Sequence, residues 1–533
     1  MARTKGISQK GQVVVMNQAD IDRIRNLEVR IREIAEDMGL LTTDIMFEIV
    51  PAQRVLEGMS YNFPTNFSHW SFGRDYERNR TIYEHTGHGI PYEQVWNFEA
   101  PKAFLVETNP LALNVLILAH VYGHVDFFLA NRYCQQGRSF GDIADEARNA
   151  ADRFQEYTDR YGLDEVESII DAAMAIQWHQ DLDPFAEEVP EEEMREYLME
   201  IERAKLERPD TIRGEFKKPQ TKEEAQAVEK RLQELMFKTP PQPEYDLLRY
   251  IKANSPKPLR PMGADILSVL RNQARALSPN GRTKLLNEGW ATYVHVHIMR
   301  QLFKEGLLTA EEHGVFNRFH SSVLRENKKS LNWYRVGFGL YEYVREQWDR
   351  GRFGREFDEC EDPHKKAYWD TGANLGREKI FEIRASCSDR MAVELYFRDE
   401  FIHEQALYIY QEQVDERTGE MIDVIVENRP EVIRAILKRS LTLYGTPTIY
   451  VKDGNYKDNR ELYLVHQRDP QLVSTLELNP QYERGTLEKI FFLWGRTVHL
   501  ETGEIVEHKE GELTKVDRVV DSYDGKDHRS MKI

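Results

Sequence analysis

Cysteine is nearly absent: Cys134, Cys360 and Cys387 are the only three in 533 residues. So few, spaced so widely, cannot build a disulfide framework or a cysteine-rich zinc site, and they fit a reducing compartment. Positive charge is also short, with 72 Lys and Arg against 90 Asp and Glu and a net charge of −18. That balance opposes the counterion release that drives nonspecific binding to nucleic acid or anionic lipid, so neither is an expected partner. Long apolar runs are missing too. The N-terminus, MARTKGISQKGQVVVMNQAD, is far too polar for a signal-peptide core. The longest strongly apolar run, Leu111 to Ala119, is followed directly by a histidine. At about half a membrane span, it reads as a buried helix. A soluble, cytoplasmic protein is expected.

What is present can build a large core. Hydrophobic residues make up 41% of the chain, including 24 Phe, 25 Tyr and 8 Trp. The length exceeds what one core usually organises. The expected fold class is α+β: a large, mainly helical N-terminal domain over residues 1–385 and a smaller α+β domain over 386–533. Within the first, residues 181–243 are acidic and Pro-marked and read as an insertion or linker.

Ile21, Ile24, Leu27, Ile31 and Ile34 recur at three- and four-residue spacing, which predicts an amphipathic helix over residues 18–38. The aromatic stretch from Tyr61 to Trp96 carries Pro, Asn and Gly punctuation and reads as a long structured loop. AFLVE (103–107) reads as a short buried strand, Asn109 as an N-cap and Pro110 as the first residue of a helix reaching about Tyr133. Past residue 386, QALYIYQEQV and MIDVIVEN form a hairpin pattern, and PTIYVKD, ELYLVHQ and TVHLETGEIVEH read as further strands. The polar tail after Val520 is expected to fray.

The chemistry-bearing pattern is LILAHVYGHVDFF. His120 and His124 are four apart on a helix, so both imidazoles leave one face with the separation that a single metal ion requires. A lone pair of this kind is more often two hydrogen-bonded core residues. The strongest third ligand is Glu288 in NEGWATY, a segment that also carries His295 and His297. The set resembles that of the gluzincin metallopeptidases, which hold zinc with two histidines of an HExxH helix and a glutamate from a later helix, and the resemblance implies a zincin-like character for the domain over 1–385. Where those enzymes have a general-base glutamate after the first histidine, this chain has Val121. Glu107, His295 and Asp126 are the candidates to replace it. His69 and Arg74 in FSHWSFGRD, with Asn109 and Tyr293, are candidate substrate contacts, and Asn287 a candidate support for the metal ligands. Cys387 reads as a small buried residue rather than a nucleophile, and the GFGL at 337–340 lacks the strand–turn–helix setting of a phosphate loop.

Taken together, FSHWSFGRDYER, YEQVWNFEAPKAFLVETNPLALNVLILAHVYGHVDFF, TKLLNEGWATYVH, LYLVHQ and TLEKIFFLWGRTVHLET resemble the SpoVR (stage V sporulation protein R-like) family over roughly residues 60–500. ASCSDRMAVELYF departs from that family's more apolar pattern. The resemblance implies a link to the spore cortex, a peptidoglycan layer, and to stationary-phase stress in bacteria that do not sporulate. It also implies a PrkA-type serine protein kinase and a YhbH-like protein as partners. Two functions follow as expectations: a zinc-dependent amide-bond hydrolase or transferase acting on a peptidoglycan-related peptide, or a catalytically silent adaptor for that kinase.

Overall fold

The apolar stripe of the first helix and the all-apolar histidine helix need partners, and the structure, a computed structural model, supplies them. It describes residues 16–61, 66–86, 94–97, 100–139, 143–181, 183–204, 222–415, 417, 419–469, 475–507 and 515–533. The chain forms two compact units: residues 1–156 with 275–445, and 157–274 with 446–533. This division is interleaved along the chain, whereas the expected one is linear. Residues 386–445 pack with the first unit, and the acidic 181–243 stretch falls in the second. Contact between elements decides a unit, and a composition change near residue 385 carries no information about contact.

In the first unit, the helix Gln18–Asp37 starts at an Asn17–Asp20 capping box and buries Ile24, Leu27, Ile31 and Ile34, as its periodicity predicts. The histidine helix, Leu111–Ala130, is buried on every side from Ala112 to Phe128. Among the described residues it is the one helix long and apolar enough to cross a bilayer, yet 94% of its most apolar window is buried inside the protein. Its apolar length serves a core. Pro110 occupies the cap position rather than the first turn, and the Asn109 amide donates to Asn114 Oδ1 instead of capping. The helix ends at Ala130 because Asn131 turns extended and caps a second helix, Arg132–Arg138.

A small sheet precedes the histidine helix. Its strands are β1 (Met46–Val50), β2 (Gln94–Trp96) and β3 (Lys102–Val106) in the order β1-β3-β2, with β1 parallel and β2 antiparallel to the central β3. Within the expected loop from Tyr61 to Trp96, Trp70–Thr86 is a helix, preceded by the helix Ala52–Tyr61, while 62–65 and 87–93 lie outside the described residues. A single glycine, Gly73, and a run of Arg and Glu in WSFGRDYERNR let helix propensity outweigh the aromatic texture.

Two close helix crossings hold the centre of this unit. A Cβ on Gly123 of the histidine helix would stand 2.6 Å from Ala291 Cα, on the helix Lys284–Lys304 that carries Glu288. A Cβ on Gly289 would stand 2.2 Å from the backbone of Gly337, on the helix Trp333–Asp349. The glycines of HVYGH, NEGWA and GFGL are thus contact points where three helix backbones meet. The unit also carries an antiparallel hairpin, β4 (Ile409–Val414) with β5 (Met421–Glu427), where the alternation placed one.

The second unit has a five-stranded sheet of β6 (Ile449–Tyr456), β7 (Glu461–His466), β8 (Val498–Glu507), β9 (Lys515–Tyr523) and β10 (His528–Lys532), in the order β10-β9-β8-β7-β6. Only β7 and β8 pair in parallel, and the helix Pro480–Trp494 is the crossover between them. The tail expected to fray is β10, paired with β9 through a turn at Asp524 and Gly525. Alternation in HRSMK is too weak to be read as a strand. The architecture is α+β.

Candidate metal centre

The histidine helix puts His120 and His124 on one face with ring centroids 4.6 Å apart and planes at 89°. The glutamate helix, packed against it at Gly123 and Ala291, brings Glu288 to both. Glu288 Oε2 lies 3.7 Å from His120 Nε2 and 3.6 Å from His124 Nε2. Ligand atoms of all three residues fall within 4.8 Å of one another.

These spacings fit a shared ion better than direct hydrogen bonds. Two donors each about 2.1 Å from one ion at a tetrahedral angle stand about 3.4 Å apart. The separations found here lie just above that and outside hydrogen-bond range. Buried Glu288 Oε2 has no hydrogen-bond partner, and a buried carboxylate oxygen left so is costly unless a cation faces it. Two imidazoles and a carboxylate are also the donor chemistry that a zinc-class ion prefers.

The ligand side chains are aimed by their neighbours. His124 Nδ1–H donates to Asn287 Oδ1 at 2.9 Å, which turns the Nε2 lone pair toward Glu288. Burial, then the neighbouring His120, pushes the His124 imidazole down to about 4, so the ring is neutral and ligand-competent at pH 7. His120 Nδ1 meets His295 Nδ1 at 2.8 Å. The Tyr334 ring lies 6.0 Å from that of His120, and Phe128 stacks on His124 at 6.1 Å. Asp389 fixes the start of the glutamate helix by accepting the backbone N–H groups of Leu285 and Leu286 at 2.8 and 3.0 Å. It lies in the ASCSDRM segment, and nothing local in the sequence marks it as a cap for a helix some 100 residues earlier.

The other candidate residues have partners of their own. Asp126, fully buried, accepts from Trp290 Nε1–H and the Leu41 N–H, both at 2.7 Å, and pairs with Arg384. All of those partners tie the histidine helix to its neighbours. Glu107 follows β3, where its backbone pairs with Val50 and Met16. Tyr293 accepts from Arg345 at 3.0 Å and stacks near His297 and Trp290. His69 is buried with Nδ1 2.7 Å from Ser71 Oγ, and Arg74 is exposed, paired with Asp75 over the Trp70 ring. Burial raises the Cys387 thiol, which suits the small buried residue expected there. His320 was invisible in the sequence: on the helix Ala310–Val323, its Nδ1 lies 3.1 Å from His295 Nε2. No spacing rule links it to position 295.

The sequence profile of the family described as SpoVR like protein matches residues 18–446, which include all of these site residues. The chain is 24% identical over 526 residues to the uncharacterized protein YcgB of Escherichia coli (strain K12), covering 94% of this chain and 93% of that protein. No solved structure matches it. The chain belongs to the SpoVR-like family.

Proposed function

From that membership as premise, we propose that His120, His124 and Glu288 hold one zinc-class ion, and that the centre hydrolyses or transfers an amide bond in a peptidoglycan-related peptide or precursor. The observation that carries this reading is the half-buried Glu288 carboxylate, its buried Oε2 held 3.6 and 3.7 Å from two imidazole nitrogens. Three protein residues would hold such an ion and would leave it able to meet a substrate. A bound ion of this class supplies Lewis acidity toward a carbonyl oxygen. The chain's own residues do the rest: Asn287 orients His124, and Glu107 is the carboxylate proposed to handle protons in place of the missing HExxH glutamate. His69, Arg74, Asn109 and Tyr293 remain candidate substrate contacts on the same proposal. The family's name and its cortex association suggest the substrate class, and a cytoplasmic setting favours a precursor or recycled muropeptide over the mature layer.

The test is metal content by mass spectrometry on protein purified without a metal-affinity column, for wild type, His120→Ala and Glu288→Ala. About one zinc per chain, lost in both variants, is expected, followed by cleavage of muropeptides by wild type alone. Well-folded wild type without metal would overturn the reading.

A second reading has its own observation. Val121 is fully buried at the general-base position, and Asp126 is consumed by Trp290, Leu41 and Arg384. An ion held without a base would make the centre structural, and the protein an adaptor for a PrkA-type kinase and a YhbH-like protein. Metal binding with no turnover of any muropeptide, together with co-purification of that kinase, would favour this reading.

A further inference from the structure

Three histidines from three helices form a continuous hydrogen-bonded line that begins at the metal centre. His120 Nδ1 is 2.8 Å from His295 Nδ1, and His295 Nε2 is 3.1 Å from His320 Nδ1. The helix Lys284–Lys304 aims His295 because it lies seven residues after Glu288, two turns along nearly the same face. Phe316 and Phe338 hold the His320 ring, at 5.5 and 6.0 Å, and the Thr309–Glu312 capping box anchors the helix that carries it.

The His295 ring is buried, and each of its nitrogens meets another imidazole nitrogen at hydrogen-bond distance. A neutral imidazole has one donor and one acceptor nitrogen. The line is therefore directional, and only two arrangements satisfy it. In one, His120 Nδ1–H donates to His295 Nδ1, and His295 Nε2–H donates to His320 Nδ1. In the other, every proton sits on the opposite nitrogen, and His120 presents an N–H, rather than a lone pair, to Glu288. The two contain the same number of protons.

The geometry points to His295 and His320 as positioning residues for the metal: by accepting in series, they hold His120 in the Nδ1–H tautomer whose Nε2 lone pair can bind the ion. This rests on the proposed metal site and adds the requirement that a residue two helices away from the ion governs its affinity. His295 meets a proposed ligand directly, and His320 acts through its hydrogen bond to His295. Imidazole as the outer partner replaces the carboxylate or carbonyl more usual there, and it makes the support depend on a second ring in turn.

The experiment is cobalt(II) affinity, by chelator competition, with the cobalt visible spectrum as a record of ligand geometry. The variants are His295→Phe, His295→Asn, His320→Phe and the double variant His295→Asn with His320→Phe, with circular dichroism to confirm folding. Loss of an outer hydrogen-bond partner costs about 10- to 100-fold in affinity. His295→Phe is expected to weaken cobalt binding to that extent and shift the spectrum. His295→Asn, whose Oδ1 can still accept from His120, is expected to recover most of the loss. His320→Phe is expected to weaken binding several-fold in the wild-type background and not at all on top of His295→Asn. Wild-type affinity in a folded His295→Phe protein overturns the relay and leaves the metal site standing, as does an effect of His320→Phe that persists unchanged beside His295→Asn. A wild-type protein that binds no cobalt overturns both.

Discussion

Each of the two units contains a buried histidine beside a glutamate, and the pair differ in one measurable respect. In the second unit, His499 Nδ1 lies 2.7 Å from Ser522 Oγ and its Nε2 2.8 Å from Glu461 Oε2. Both ring nitrogens are satisfied by neighbouring strands of the sheet, at ordinary hydrogen-bond distances. In the first unit, the distances from His120 and His124 to Glu288 are 3.7 and 3.6 Å, and the carboxylate oxygen between them has no hydrogen-bond partner. The same residue types therefore do opposite things. Where the protein closes the polar groups on one another, they are a cross-link. Where the backbones hold them about an ångström too far apart, they form a group that could hold a metal ion.

That contrast is sharpest in metal binding. Glu288→Ala is expected to remove the bound ion, weakening affinity well beyond the 10- to 100-fold worth of an outer partner. His499→Ala should leave metal stoichiometry unchanged, and metal analysis of both variants checks the pair. If His499→Ala also lost the ion, the distinction between cross-link and ligand set would break.

Next in size is the packing that sets the spacing. Gly289→Ala drives a Cβ to 2.2 Å from the Gly337 backbone, which no rotamer can relieve. A loss of about 3 kcal/mol, seen as a lower thermal midpoint in the metal-free protein, is expected. A stable variant with normal metal content would show that the crossing does not position Glu288. For the cross-link, His499→Ala should cost about 1–3 kcal/mol in denaturant unfolding, since it strips a partner from half-buried Glu461.

The smallest effect separates the units by pH. Burial, and then the neighbouring Asp521, raises the Glu483 carboxyl in the second unit to about 8. Its folded-state value exceeds the ordinary 4.5, so the fold favours the protonated form. This contribution is complete below about pH 4.5 and is lost as pH climbs through about 8. Glu483→Gln should flatten that slope and stabilise the protein at pH 8 by about 1–2 kcal/mol, discounted for solvent exposure. Unfolding midpoints at pH 5.5 and 8 test it; an unchanged slope would remove Glu483 as the cause.

Much of the candidate site was legible because it is periodic. An i, i+4 histidine pair fixes two candidate ligands to one helix face whatever the helix packs against, and NEGWATY marked the candidate third. The hairpin at 409–427 and the strands after 449 were equally readable from alternation. His320 and Asp389 were not, because their partners lie on other elements and no local pattern encodes a distance across a core. The helix Trp70–Thr86 was hidden by its aromatic composition, and β10 by its lack of alternation.

The sequence by itself determined the family, the α+β class and the choice of three candidate ligands, since each depends on spacing within one segment or on a match along the chain. Tertiary structure alone decided that Glu288 reaches both histidines, that Asp126 belongs to a cross-link, and that 386–445 packs with the first unit. The first of those outcomes depends on how closely Gly123, Gly289 and Gly337 let three helix backbones approach. Such an approach is set by packing among residues far apart in sequence, which no local pattern records.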